Sequence, residues 1–314
     1  MTGWNRIRKS VRIAGDTVEK RSNKLAHIVA SLVESAGVGV ADALHSTGAK
    51  RAIEPLFTWM GGSLKGIFSL LSTVINAVLG IAGGLVGGFI KIAGGLLTAQ
   101  GRVMAEGAGD IVSVIFGSII LVAGKLVALI QAAIAIQDFE RPLTTSEERM
   151  LKRVFRDSLN CHVVRVVEGR SGLFGLSERA FTLGNTLYMK TEIFPDYLLI
   201  HEATHAWQYQ HMGARYASDA LMAQWFLPDA YNWQKEISDR KRAEWTLFNR
   251  EAQAEFLADI WKYGELKNSN GQRAEEGGGA FFDADGQGML AHFKIHNKDY
   301  TDMANDAVNK IRYT

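Results

Sequence analysis

The sequence predicts an α+β fold preceded by an all-helical, apolar N-terminal region. Three observations predict it. Two long apolar stretches lie before residue 140, short β-branched runs with turn residues lie between 162 and 189, and helix-period runs follow them. With 314 residues and 47% hydrophobic composition, the chain can bury a sizeable core, which excludes wholesale disorder. A net charge of +2 gives no reason to expect nucleic acid as a partner.

Residues 1–60 carry apolar positions at helical spacing, including Leu25, Ile28, Val29, Leu32 and Val33, and read as an amphipathic helical segment. Its start is basic: Arg6, Arg8, Lys9, Arg12, Lys20, Arg21 and Lys24 face only Asp16 and Glu19. Such a run forms either a solvated helix face or a contact for anionic lipid headgroups. No apolar stretch of the secretory kind follows these charges, so the chain is expected to be made in the cytoplasm without a signal peptide. Any export would then use a leaderless route.

Residues 61–140 read as an apolar, Gly-rich helical hairpin. Gly66 to Ile90 holds no charged residue, and Ile111 to Ile136 holds only Lys125. Arg102, Glu106 and Asp110 between them mark the expected connector. Each stretch is long enough to cross a hydrocarbon core as a helix. Gly80, Gly84 and Gly88 recur every four residues, a spacing that permits close helix approach. The hairpin is thus either membrane-inserting or buried within a soluble helical region. Lys125 disfavours a permanent lipid-facing span, because a central Lys costs about 2.5–3.5 kcal/mol on insertion scales.

Residues 141–314 read as an α+β domain. A helix is expected over Ser146–Phe155, capped by Thr144 or Thr145, and a strand over His162–Val167. The run FTLGNTLYM, residues 181–189, predicts strand around a turn at Gly184-Asn185. A long helix should start after Pro195, another should cover about 240–264, and Lys267–Gly288 reads as a loop. Cys161 stands alone, so neither an intrachain disulfide nor a cysteine-based metal site can form.

The chemistry concentrates in the run HEATH. On a helix, His201 and His205 project from one face a turn apart, so two neutral imidazoles can take two corners of a tetrahedral zinc site. Glu202 lies about 100° round the helix, where its carboxylate can take a proton from a metal-bound water and pass it to a leaving amine. A third ligand is expected from FNREAQAEFLAD, in which Glu251, Glu255 and Asp259 form one acidic stripe. A ligand carboxylate with an acid one turn later fits two pairs. Either Glu255 is the ligand with Asp259 behind it, or Glu251 is the ligand with Glu255 behind it. Tyr188, Tyr216 and Tyr231 are candidates for stabilising an oxyanion. His211 reads as a surface residue past the metal face, and His292 and His296 as ordinary side chains.

The four runs RPLTTSEERMLKRVFRDSLN, LGNTLYM, LLIHEATHAWQYQ and FNREAQAEFLADIW resemble, in this order, the zincin domains of bacterial polymorphic-toxin and type VI secretion-associated proteins. The resemblance spans residues 141 to about 262. It implies a zincin-like domain with the active-site helix packed on a small mixed sheet, zinc as cofactor, and peptide hydrolysis with Glu202 as general base. The pattern Asn249, Glu251, Gln253 favours Glu251 as third ligand, where spacing alone favours Glu255. The resemblance also implies a secreted effector acting on a peptide or protein substrate, with a membrane, a secretion-machine component or an immunity protein as further partners. A membrane-perturbing or pore-forming toxin with an idle zincin domain, or a secretion-machine adaptor, is the alternative. The apolar hairpin lies outside the resemblance.

Overall fold

A computed structural model describes residue 28 and residues 54–176, 179–284 and 288–313 of the chain. The amphipathic segment expected over residues 1–60, with its basic run, falls almost wholly outside the described residues. The remainder mixes helices with small sheets, an α+β arrangement behind an apolar helical pair.

That pair is a hairpin of α1 (Glu54–Leu97) and α2 (Gly101–Ala133). The chain reverses over Thr98–Gln100, not across the expected Arg102–Asp110 connector, which is helical. The turn is closed by Thr98 Oγ1 donating to the Gly94 carbonyl at 2.7 Å and the Gln100 amide donating to Gly95 at 2.7 Å. The charges taken for a loop are not all solvated. Asp110 is buried and accepts from Lys91 Nζ at 2.5 Å across the hairpin. A Cβ on Gly84 would lie 2.6 Å from Val114, and one on Gly88 would lie 2.7 Å from the Gly107 carbonyl, so these glycines are where the helices touch.

Polarity in the hairpin is inverted. Its buried positions include Ser69, Ser72, Thr73, Asn76, Lys91, Asp110, Ser118 and Lys125, while Val78, Val86, Phe89, Val112, Ile115, Phe116 and Ile119 are exposed. Both helices are long and apolar enough to cross a membrane by length and composition. One face of α2 is nevertheless committed to the rest of the molecule. Gly117 abuts the Ala214 carbonyl and Gly124 abuts Leu183. Lys125 is buried and donates to Glu140 at 2.8 Å, Ser69 at 2.9 Å and Thr186 at 2.5 Å. It is a polar clasp between the hairpin and the following domain.

That domain opens with β1 (Arg141–Pro142) and α3 (Thr145–Phe155), whose cap is Thr144 in a reciprocal capping box with Glu147. The four-stranded sheet has the order β1-β2-β4-β3, where β2 is Arg165–Glu168, β3 Phe181–Leu183 and β4 Thr186–Met189. β2 and β4 run parallel, and β3 folds back on β4 around Gly184-Asn185, where Gly184 takes φ 66°. The strand expected from His162 starts only at Arg165, because Cys161–Val163 forms a 3-10 turn capped by Asn160.

The central helix α4 (Asp196–Met212) is buried all round from Leu199 to Gln210. It packs against α3, β3, β4, α5 (Arg215–Phe226) and, after α6 (Trp233–Ser238), α7 (Arg250–Tyr263). α7 starts ten residues later than its expected 240–264 span, since the Asn249 side chain caps it by accepting from the Glu251 and Ala252 amides. The expected 267–288 loop contains β6 (Arg273–Glu276), which with β5 (Glu265–Lys267) and β7 (Leu290–His292) forms a second sheet. A β8–β9 hairpin (Lys294–Ile295, Lys298–Asp299) and α8 (Thr301–Arg312) complete the described chain.

Candidate metal centre

The buried helix α4 carries His201, Glu202 and His205 into one place with α7. His201 Nε2 lies 3.5 Å and His205 Nε2 3.4 Å from the same oxygen, Glu251 Oε2. These spacings exceed the 2.7–2.9 Å of a charge-assisted hydrogen bond. They match the roughly 3.4 Å that separates tetrahedral ligands whose bonds to zinc are about 2.0–2.2 Å. The three side chains form a buried group that could hold a metal ion.

Each ligand-type residue is fixed from behind. His201 Nδ1 lies 3.0 Å from Glu255 Oε2, and His205 Nδ1 lies 2.9 Å from Gln208 Oε1. A proton on each Nδ1 satisfies these acceptors and leaves each Nε2 with its lone pair turned to the centre. Gln208 is itself held, its amide donating to the Arg250 carbonyl at 3.1 Å and to Gln253 Oε1 at 3.0 Å. Gln224 of α5 donates to Glu251 Oε1 at 2.9 Å, so the other oxygen is the one turned to both histidines. Glu202 Oε2 lies 2.8 Å from Thr182 Oγ1 of β3, which ties the carboxylate to the edge of the first sheet.

The electrostatics ask for a cation. Buried Glu202 and Glu251 flank the two buried imidazoles, and Glu255, whose side chain is 37% exposed, meets His201 from the open side. Burial alone would lower the pKa of His201, but the adjoining carboxylates of Glu251 and Glu255 outweigh it and push it up to about 10. His205 is raised too, against burial, by the charge of Glu251. Glu202 is held above the usual carboxylate range by burial, and Glu251 below it, where the histidines overcome burial. A divalent metal at the Nε2 atoms supplies the same positive charge as these protons and competes with them.

The remaining sequence-predicted residues separate clearly. The two schemes for the acidic stripe differ in geometry, and the arrangement is the one with Glu251 inward and Glu255 behind His201. Asp259 accepts from Trp233 Nε1 at 2.8 Å and backs no histidine of the centre. Burial pushes it up to about 6. Tyr188 is a core residue, fully buried and stacked on Phe181 at 4.7 Å. Tyr216 spends its hydroxyl on the backbone, donating to Thr182 O at 3.0 Å and accepting from the Gly184 amide at 2.9 Å. Only Tyr231 of the three tyrosines combines contact with the histidine pair and partial exposure: it stacks on His201 at 5.9 Å beneath the Arg179 guanidinium, 4.7 Å from its ring. His211 stacks on Trp207, and His292 lies between Glu265 and Asp299.

Thr182, Gln208 and Gln224 were not legible as site residues, and Gln253 was read only as part of the pattern that marks Glu251. Of the unread three, Gln208 leaves a signal, standing three positions after His205 on the same helix face. Comparison of the chain with protein-family models, curated proteins and solved structures finds no match.

Proposed function

We propose that the protein is a zinc-dependent peptide hydrolase of zincin type, with His201, His205 and Glu251 as ligands and Glu202 as general base. One observation carries this reading: two Nε2 atoms and one carboxylate oxygen converge at tetrahedral spacing, with the rear of each group already engaged. When bound, zinc would lower the pKa of a coordinated water to about 7 and polarise the scissile carbonyl.

The protein's own groups supply the rest. Glu202 takes the proton from the attacking water and delivers it to the departing amine nitrogen, closing the proton balance of hydrolysis. Thr182 holds that carboxylate at the sheet edge. Tyr231, which stacks on His201 and is partly exposed, is the tyrosine assigned to donate to a developing oxyanion. The substrate as a peptide, and the setting as a secreted bacterial effector with a secretion or immunity partner, rest on the resemblance of the four sequence runs alone.

A second reading assigns the effect of the protein to its hairpin, with the metal domain idle. The inverted polarity of the hairpin favours it, since polar groups inside and apolar groups outside suit a lipid surroundings. Elemental analysis and peptide digestion separate the two. The full chain should retain one zinc per molecule, His201→Ala should lose it, and Glu202→Gln should keep it while hydrolysis falls by about 10²–10⁴-fold. Occupancy below about a tenth of an equivalent, not restored by added zinc, would remove the site.

A further inference from the structure

A cavity of about 570 Å³ opens beside the centre, with Tyr231, Trp233, Glu255, Asp259, Tyr263 and His296 in its wall. That volume is within the range of small-ligand sites. Two of these residues belong to the centre's surroundings: Tyr231 stacks on His201, and Glu255 holds His201 Nδ1. Along α7 the acids Glu251, Glu255 and Asp259 recede from the centre in steps of about 6 Å, one helical turn each. Glu255 commits Oε2 to His201 and Asp259 commits Oδ2 to Trp233, so each keeps a second oxygen for another donor.

We propose that this cavity receives a Lys or Arg side chain of the substrate, its aliphatic stem against the aromatic walls and its cation between Glu255 and Asp259. The inference rests on the hydrolase reading for its place in catalysis, but the recognition itself is a property of the cavity. Long basic side chains combine an apolar stem with a terminal charge, which is the polarity this wall offers. Two cations stand near the acids: Lys294 is itself part of the cavity wall, and the charge of Lys262 reaches Asp259, though neither forms an ion pair with Glu255 or Asp259 among the described residues. Lys262 lies over the rings of Tyr197 and Tyr263 at 5.0 and 4.8 Å, and Lys294 lies 4.0 Å from Asp299. His296 stands at the β8–β9 turn, with φ 49°, and lines the same cavity. Burial, with the Glu255 charge added, makes ionised Asp259 costly, and an incoming cation relieves that cost.

Calorimetric titration of the full chain with butylguanidinium and with uncharged butylurea tests this near pH 8, without added metal. Butylguanidinium should bind at least about tenfold more tightly. Asp259→Asn, which keeps an acceptor for Trp233, should erase the difference. Equal binding of the two probes, an unchanged preference in Asp259→Asn, or tighter binding of butyrate overturns the proposal. Digestion of a peptide library by the zinc-loaded chain then separates the two readings. Cleavage without enrichment of Lys or Arg beside the cut overturns the specificity and leaves the hydrolase. Guanidinium binding without any cleavage overturns the hydrolase and leaves the cation site.

Discussion

Glu251 and Glu255 sit one turn apart on the same helix, and the histidine nitrogen each one faces decides what its loss would do. Glu251 Oε2 stands opposite two Nε2 atoms, whereas Glu255 meets only the Nδ1 of His201. Glu251→Ala should therefore abolish stoichiometric zinc, while Glu255→Ala should weaken affinity by about 10–100-fold. A competition titration against a chromophoric chelator measures both, and the reverse order would exchange their roles. Asp259 makes a separate pH-dependent contribution. Its folded value of about 6 lies above the ordinary 3.8, so the folded chain holds this proton more tightly than the unfolded chain. Stability consequently falls as pH rises from about 4 to about 6, and the full cost remains above that window. Asp259→Asn should stabilise the protein by about 1–3 kcal/mol near pH 8 and by nothing below about pH 4. Urea unfolding across that range checks the sign; a gain that persisted in acid would not come from this charge.

The elements were legible where local pattern decides them and obscure where a distant partner does. The turn at Gly184-Asn185, the cap at Thr144 and the apolar hairpin follow from residues adjacent in sequence. The connector was misplaced because Asp110 looks like loop until Lys91 is set opposite it. Of the site, HEATH was legible by spacing, but Thr182 and Gln224 arrive from other elements with no common motif. α8 went unremarked although Met303, Ala304, Ala307, Val308 and Ile311 form a helical stripe on one face. Lys125 shows the same limit with an energetic consequence, since its partners Glu140 and Thr186 stand 15 and 61 positions away. The Glu140 carboxylate is held below its ordinary range by Lys125 despite burial. Lys125→Leu should strand that carboxylate and destabilise the fold by about 3–5 kcal/mol, with Glu140→Gln in the same chain recovering part of the loss. Denaturant midpoints of the three proteins measure this, and a neutral Lys125→Leu would mean the clasp contributes nothing. The outer face of the hairpin has a different test. Its uncharged surface around Val86, Phe89, Ile115 and Ile119 should carry the full chain to the top of a liposome flotation gradient, and high salt should not release it. Absence of flotation with both neutral and anionic vesicles would set the membrane reading aside.

Across the whole molecule, the hairpin is part of what supports the candidate active centre. Leu121 and Ala128 of α2 share one apolar cluster with Val167, Leu183, Tyr188, Tyr209 and Tyr216. Leu183 neighbours Thr182 on β3, and Thr182 is the residue bonded to Glu202. β3 is an edge strand, hydrogen-bonded to β4 on one side only, so its position depends on what packs against its face. Removing residues 1–140 would uncover Leu183 and Tyr216 and leave Thr186 without Lys125. Exposed apolar side chains lose about 1.5–3 kcal/mol each when they are stripped of their cover. The isolated 141–314 fragment should therefore be less stable than the full chain. On the proposed hydrolase reading it should also hydrolyse peptides more slowly than the full chain at equal zinc occupancy, because the proposed ligands on α4 and α7 survive while the mooring of Glu202 loosens. Amide exchange should quicken at Phe181–Leu183 well before it does in α7. A fragment with full activity and unchanged exchange at β3 would show the hairpin to be a passenger on the metal-centre domain. Slowed hydrolysis with zinc retained would instead support a structural role for the hairpin, exerted through the contacts of Lys125, Gly117 and Gly124 with the domain.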